Sequence, residues 1–180
     1  YIARFLSNQA LNLQEDGRYA EALACLNEAR TILDPTVYEL DKITIQNNIG
    51  LLHYRLGQWA EALDAFRQTD NDYLRRSPNI HMQALVSNNI GNVLLKQASF
   101  TEAEAYLRRA MTLWEQANDE VEMANSIGSL AEALVGQAQR VEAMGYLAQA
   151  LALLARFPQD AWAQKLQADF RRQQEQLNCG

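Results

Sequence analysis

GRYAEALACLNEA begins at Gly17, and the chain returns to the same pattern three times: GQWAEALDAFRQT from Gly57, ASFTEAEAYLRRA from Ala98 and AQRVEAMGYLAQA from Ala138. The starts lie 40, 41 and 40 residues apart. A fixed period of this length marks an array in which each repeat is one supersecondary unit, stable only when its neighbours cover its apolar face. Each string follows a segment with helical periodicity. Small residues recur in that segment at Ala10, Gly50, Gly91 and Ala131, and again after the turn at Ala22, Ala62, Ala103 and Ala143. Larger apolar residues follow at Leu26, Phe66, Leu107 and Leu147. Two antiparallel helices approach to ~8–10 Å only where their facing residues are small. A Leu at Gly50 is therefore expected to overpack and cost ~1–3 kcal/mol.

These columns resemble the tetratricopeptide repeat, and the resemblance covers nearly the whole chain. The period of 40–41 in place of 34 resembles the kinesin-light-chain-like branch, with longer helices. The fourth copy departs from the pattern: the aromatic after the turn, present as Tyr19, Trp59 and Phe100, becomes Arg140. The resemblance implies an all-α, right-handed α-solenoid of four helix–turn–helix repeats, near 2–34, 35–76, 77–117 and 118–156, in a single domain over 1–180. Pro35 and Pro78 stand at repeat junctions and Pro158 before a last helix, places where proline is tolerated. Asn118 and Asp119 supply N-caps at the third junction. The helices read as 2–16, 19–33, 36–56, 59–76, 78–97, 100–117, 119–137, 140–156 and 159–177. The last, carrying Trp162, Leu166, Phe170 and Leu177, reads as a cap over the open end. A truncated fifth repeat or a homodimer contact are the alternatives.

Composition narrows the function. The 180 residues carry a net charge of −6 and no basic cluster, which argues against a nucleic-acid surface. No stretch approaches the ~18 apolar residues that span a bilayer. Cys25 and Cys179 form no CxxC pair and read as free thiols of a cytoplasmic protein. Two histidines, His53 and His81, with scattered cysteines make a zinc site a poor reading, and neither a cofactor nor a metal is expected. His53 shares a column with Leu13, Leu94 and Leu134 and reads as a hydrogen-bonded core residue; His81 reads as exposed. No HExxH, phosphate loop, GxGxxG or GxSxG is present, so no enzyme is expected. Glu21, Glu61, Glu102 and Glu142 recur once per repeat in the first turn of a helix. The helix dipole favours carboxylates there by ~0.3–1 kcal/mol each, which explains them without catalysis. Tyr73, Trp114 and the post-turn aromatics sit at matched positions and read as core.

The expected function is protein or peptide binding. In the family that this chain resembles, the first helix of each repeat lines the inner surface. At 100° per residue, Gln46, Ile49, Gly50 and His53 face the partner helix, and Thr44, Asn48, Leu51 and Arg55 fall on the opposite stripe. The matching stripes are Arg4, Asn8, Leu11 and Glu15; Leu85, Asn89, Asn92 and Lys96; and Asn125, Ser129, Glu132 and Gly136. The column Asn8, Asn48, Asn89 stands out, because Asn is up to ~0.7 kcal/mol worse than Ala in a helix. A side-chain amide both donates and accepts, so it can hold the backbone of an extended peptide without reading its sequence. The NNIG strings at 47–50 and 88–91 resemble the asparagine ladder of kinesin light chains. Asn8, Asn48, Asn89, Asn92 and Asn125, with Leu51, are the candidate contacts, and Arg55 and Lys96 are placed to attract acidic groups. The alternative to a ladder is a polar helix face or Asn bonded between repeats.

The chain opens at Tyr1, without Met, inside a periodic helix, and Arg outnumbers Lys. It reads as a fragment of a larger, bacterial protein. A second function therefore stays open: a regulatory or oligomerisation segment of a transcriptional regulator or signalling protein.

Overall fold

The computed structural model describes residues 2–33, 39–71 and 79–179. Those residues form helices only: α1 (Ile2–Glu15), α2 (Tyr19–Ile32), α3 (Glu39–Arg55), α4 (Trp59–Thr69), α5 (Ile80–Lys96), α6 (Phe100–Ala117), α7 (Glu120–Gly136), α8 (Arg140–Leu154) and α9 (Ala161–Cys179). The all-α fold of tandem helical hairpins is as the repeat pattern implies. Pro35, Tyr73 and Pro78 lie outside the described residues, as do the start of the third expected helix and the end of the fourth.

One turn closes every hairpin. Gly17 and Gly57 adopt φ of +73° and +74°, and Ala98 and Ala138 take the same left-handed conformation at 55° and 62°. The next backbone N–H then reaches back five residues, from Arg18 to Leu13, Gln58 to His53, Ser99 to Leu94 and Gln139 to Leu134, at 2.8–2.9 Å. This closure satisfies carbonyls that the helix end leaves open. It also explains why the second helices begin without a side-chain cap. Helices that open the later repeats do have one: the Met82 N–H donates to Asn79 Oδ1 and the Glu122 N–H to Asp119 Oδ1. Asp160 caps α9 in the same way, through the Ala163 N–H at 2.8 Å. Asn118, read from the sequence as a helix-starting cap, instead ends α6 in the left-handed region at φ 55°. Its side chain tolerates that conformation, and Asp119 alone does the capping.

The chain divides into two compact units, Tyr1–Pro78 and Asn79–Gly180. In the first, α1 pairs with α2, α2 with α3, and α3 with α4. Its core gathers Leu6, Leu13, Leu26, Ile45, Ile49 and Leu52. Gly50 lies against the Phe66 ring, so that a Cβ there would come within 2.5 Å of ring carbon Cε1. In the second unit each helix from α5 to α9 packs on the next, and α7 also lies beside both α5 and α9. Ile90, Leu94, Leu107, Ile127, Leu130, Leu134, Leu147 and Leu154 are fully buried there. Gly91 seats Leu107 as Gly50 seats Phe66, with a would-be Cβ 2.6 Å from Leu107 Cγ. On α9, Ala163, Leu166 and Phe170 are buried, with Phe170 against Gly128, so this helix covers the end of the fourth hairpin.

Candidate functional site

Within the first unit, α1 and α3 present a shared polar face. Arg4, Asn8, Leu11 and Glu15 recur at three- and four-residue spacing on α1, as Thr44, Asn48, Leu51 and Arg55 do on α3. Two hollows lie along this face. The first, of about 190 Å³, is lined by Arg4, Ser7, Asn8, Asp41, Thr44 and Asn48 over a floor that includes Ala3, Leu33 and Ile45. The second, of about 290 Å³, is lined by Leu11, Gln14, Glu15, Tyr19 and Arg55. Arg4 Nη2 stands 3.5 Å from Asp41 Oδ2 at the edge of the first hollow. Asn8 is exposed and Asn48 half-buried, and neither amide has a hydrogen-bond partner among the described residues. Arg55 is exposed and Leu51 half-buried.

The second unit treats its asparagines differently. Asn89 is only 8 % exposed and is engaged inside the protein. Its neighbour Asn88 is buried and accepts a bond from Ser126 Oγ at 2.9 Å. Asn125 Nδ2 donates to Glu122 Oε2 at 3.1 Å, and Trp162 Nε1 donates to Glu122 Oε1. Asn92 is half-buried and Lys96 exposed. The asparagine column is thus two kinds of residue. Asn8 and Asn48 keep amides without a partner among the described residues, whereas Asn89 is buried and bonded within the protein.

His53 is half-buried, with Nδ1 2.7 Å from Gln58 Oε1, so it is hydrogen-bonded at the rim of the hairpin turn and not deep in the core. His81 is exposed, edge-on to Trp114 at 5.9 Å. Among the described residues no three His, Cys, Asp or Glu side chains gather to hold a metal. Glu21, Glu61, Glu102 and Glu142 each occupy the third position of their helix. Glu21 receives both Nε and Nη2 of Arg18, and this bonding holds its carboxyl below the usual range. No described helix is long and apolar enough to cross a membrane.

Two features escaped the sequence reading. Asp41, one turn before Thr44, places a carboxylate beside Arg4. Arg108 forms a node on α6: it donates to Glu104 Oε1 (2.9 Å), Tyr146 Oη (2.6 Å) and Glu142 Oε1 (3.3 Å), and it stacks over the Tyr146 ring. Gln137 Nε2 completes it by donating to Glu104 Oε2. Its residues come from α6, α8 and the residue that caps the end of α7, so no local pattern announces it. The post-turn aromatics, read as core, are half-buried: Trp59 packs edge-on to Tyr54 at 5.1 Å, and Phe100 lies over Gly136.

A family model described as tetratricopeptide repeat matches residues 1–69 and 82–156. Two crystal structures of the nearly identical TPR-like repeats of a chain described as a kinesin light chain from Podosopora anserina are 18% and 16% identical. They match 97% and 99% of this chain and 89% and 92% of those, with TM-scores of 0.76 and 0.74. A Rap protein complexed with competence and sporulation factor is 15% identical, with a TM-score of 0.73 over 86% of this chain and 43% of that one. The apo form of RapI is 12% identical, with a TM-score of 0.82 over 99% of this chain and 66% of that one. At these identities the likeness is one of fold.

Proposed function

The chain belongs to the tetratricopeptide repeat family, and we propose that it is a non-catalytic, cytoplasmic interaction module that holds an extended segment of a partner protein along the α1–α3 face of its first unit. The observation that carries this reading is the pair Asn8 and Asn48, whose amides have no partner among the described residues and flank one hollow. Each amide can donate to a peptide carbonyl and accept from a peptide N–H. The second hollow lies further along the same face, with Leu11 to receive an apolar side chain and Arg55 an acidic one. Asn92 and Lys96 are assigned a lesser contact on the second unit, and Asn89 none. A dimer through α9 would rest on Trp162, since Leu166 and Phe170 are covered by the protein itself.

A peptide library displayed on phage and selected on the intact chain tests this. Selected peptides should lose roughly tenfold or more in affinity for an Asn8→Ala/Asn48→Ala variant, the combined effect of two hydrogen bonds worth ~0.5–1.5 kcal/mol each. Equal binding to the variant, with its helical circular dichroism intact, would reject the face as the site. The Rap protein complexed with competence and sporulation factor supports a second reading, in which the bound segment is an effector and this chain the regulatory part of a larger signalling protein.

A further inference from the structure

The two hollows on the α1–α3 face share one lining pattern, displaced along the helices. On α1 the first is lined by Arg4, Ser7 and Asn8 and the second by Leu11, Gln14 and Glu15, each seven residues further on. On α3 the same step leads from Asn48 in the first hollow to Arg55 in the second. The two helices run in the same direction: Arg4 pairs with Asp41 near their starts, and Leu11 and Arg55 share the second hollow near their ends. Seven residues are two helical turns, which sets the hollows about 10.5 Å apart along the face. A ligand that fills both must therefore carry two side chains on one of its own faces at that distance. A β-strand does not. Its same-face side chains stand about 6.6 or 13.2 Å apart, and residues three apart, at about 9.9 Å, point to opposite faces. A polyproline II helix does. Its three residues per turn put side chains i and i+3 on one face, about 9.3 Å apart.

We infer that the α1–α3 face binds its partner segment in the polyproline II conformation, with an apolar side chain in the first hollow and an acidic one three residues away in the second. This rests on the reading of that face as the binding site and specifies what it takes. The apolar anchor follows from the floor of the first hollow, Ala3, Leu33 and Ile45. The acidic anchor follows from Arg55, which has no partner among the described residues. Asn8 and Asn48 line the first hollow on the side towards the second, beside the two residues that link the anchors. A polyproline II backbone has no internal hydrogen bonds, so the carbonyls of those linking residues are free to accept from the two amides, even where both are proline. Tyr19 adds an aromatic ring to the second hollow, the kind of surface on which such segments dock.

The probes are amidated peptides with an N-terminal fluorophore, titrated with the intact chain and followed by anisotropy. Pro-Leu-Pro-Pro-Glu-Pro-Pro carries the anchors three apart. Pro-Leu-Pro-Glu-Pro-Pro-Pro and Pro-Leu-Pro-Pro-Pro-Glu-Pro carry them two and four apart, and Thr-Leu-Thr-Thr-Thr-Glu-Thr offers the strand alternative. Either chain direction gives the same spacing, so each peptide is also made in reversed order. In one direction the three-apart peptide should bind roughly tenfold or more tighter than every control, the worth of one buried aliphatic side chain. Arg55→Gln should remove most of that preference. Glu15→Gln, which takes a like charge away from the acidic anchor, should tighten binding several-fold. Equal affinity at all three spacings, or tightest binding by the Thr peptide, would overturn the polyproline II assignment. If Asn8→Ala/Asn48→Ala still weakens binding in that case, the face itself remains the site. Binding that ignores the double variant, or no binding of any peptide at millimolar concentration, would overturn the assignment and the site together.

Discussion

At the scale of single residues, the glycines separate into those that make space and those that do not. Gly91 has no room for a methyl group, because Leu107 occupies it. Gly91→Ala should therefore destabilise the second unit by ~1–3 kcal/mol, despite Ala's better helix propensity. Gly145, on the exposed side of α8, would meet nothing within 4 Å. Gly145→Ala should stabilise by ~0.5–1 kcal/mol, the ordinary gain in a helix interior. Thermal melts of the two variants should move in opposite directions, and parallel shifts would refute the assignment of Gly91 as a packing contact. The turns offer the reverse exchange. Ala98 and Ala138 hold the left-handed conformation that Gly17 and Gly57 hold in the earlier repeats. Left-handed backbone costs a residue with a Cβ ~1–2 kcal/mol, partly offset by glycine's greater freedom when unfolded. Ala98→Gly should thus raise the melting temperature slightly. A fall would show that the turn is relaxed as it stands. The small-residue columns were readable from the sequence because they repeat at fixed spacing. The fate of Asn89 was not, because an amide facing solvent and an amide buried under the next helix occupy the same helical angle. Which one results depends on the neighbouring repeat.

Between elements, the Arg108 node ties α6 to α8 and to the C-cap of α7 at Gln137. Glu104 titrates below the usual carboxylate range, chiefly because Gln137 donates to its ionised form and then because Arg108 does. A carboxylate with a lowered folded pKa contributes stability that is fully present above its unfolded value of ~4.3 and is lost as pH falls through the lowered value. Glu104→Gln should therefore melt below the wild type at neutral pH, and the gap should close in acid below about pH 4. A gap that stays constant with pH would assign the loss to packing. Helix number and order were legible from period alone, since apolar spacing and turn residues agree in every repeat. Ends were less so. The sequence pattern places the start of the last helix at 159, whereas Asp160 caps it and Ala161 starts it. Asp160→Ala should cost about 1 kcal/mol, and the loss should appear first as faster amide exchange in the opening turn of α9. Exchange unchanged there would show that Leu166 and Phe170 hold the helix without its cap.

Over the whole molecule, the sequence presents four similar repeats, yet the contacts group residues into Tyr1–Pro78 and Asn79–Gly180. Repeat arrays hold together through nearest-neighbour burial, and an array needs its terminal face covered. The second unit meets that condition internally. Its two hairpins enclose Ile90, Leu107, Ile127 and Leu147, and α9 covers the end of the fourth hairpin through Leu166 and Phe170. A polypeptide of residues 79–180 should therefore fold alone, with helical circular dichroism and one cooperative melt. Ending it before Asp160 would uncover Gly128 and the apolar surface of α8, because Phe170 and Leu166 would be gone. The shortened piece should lose cooperativity or aggregate, as an uncapped array does. If the shortened piece melts as sharply as the longer one, α9 is not a cap. Its buried face, Ala163, Leu166 and Phe170, would then be an accessory to stability.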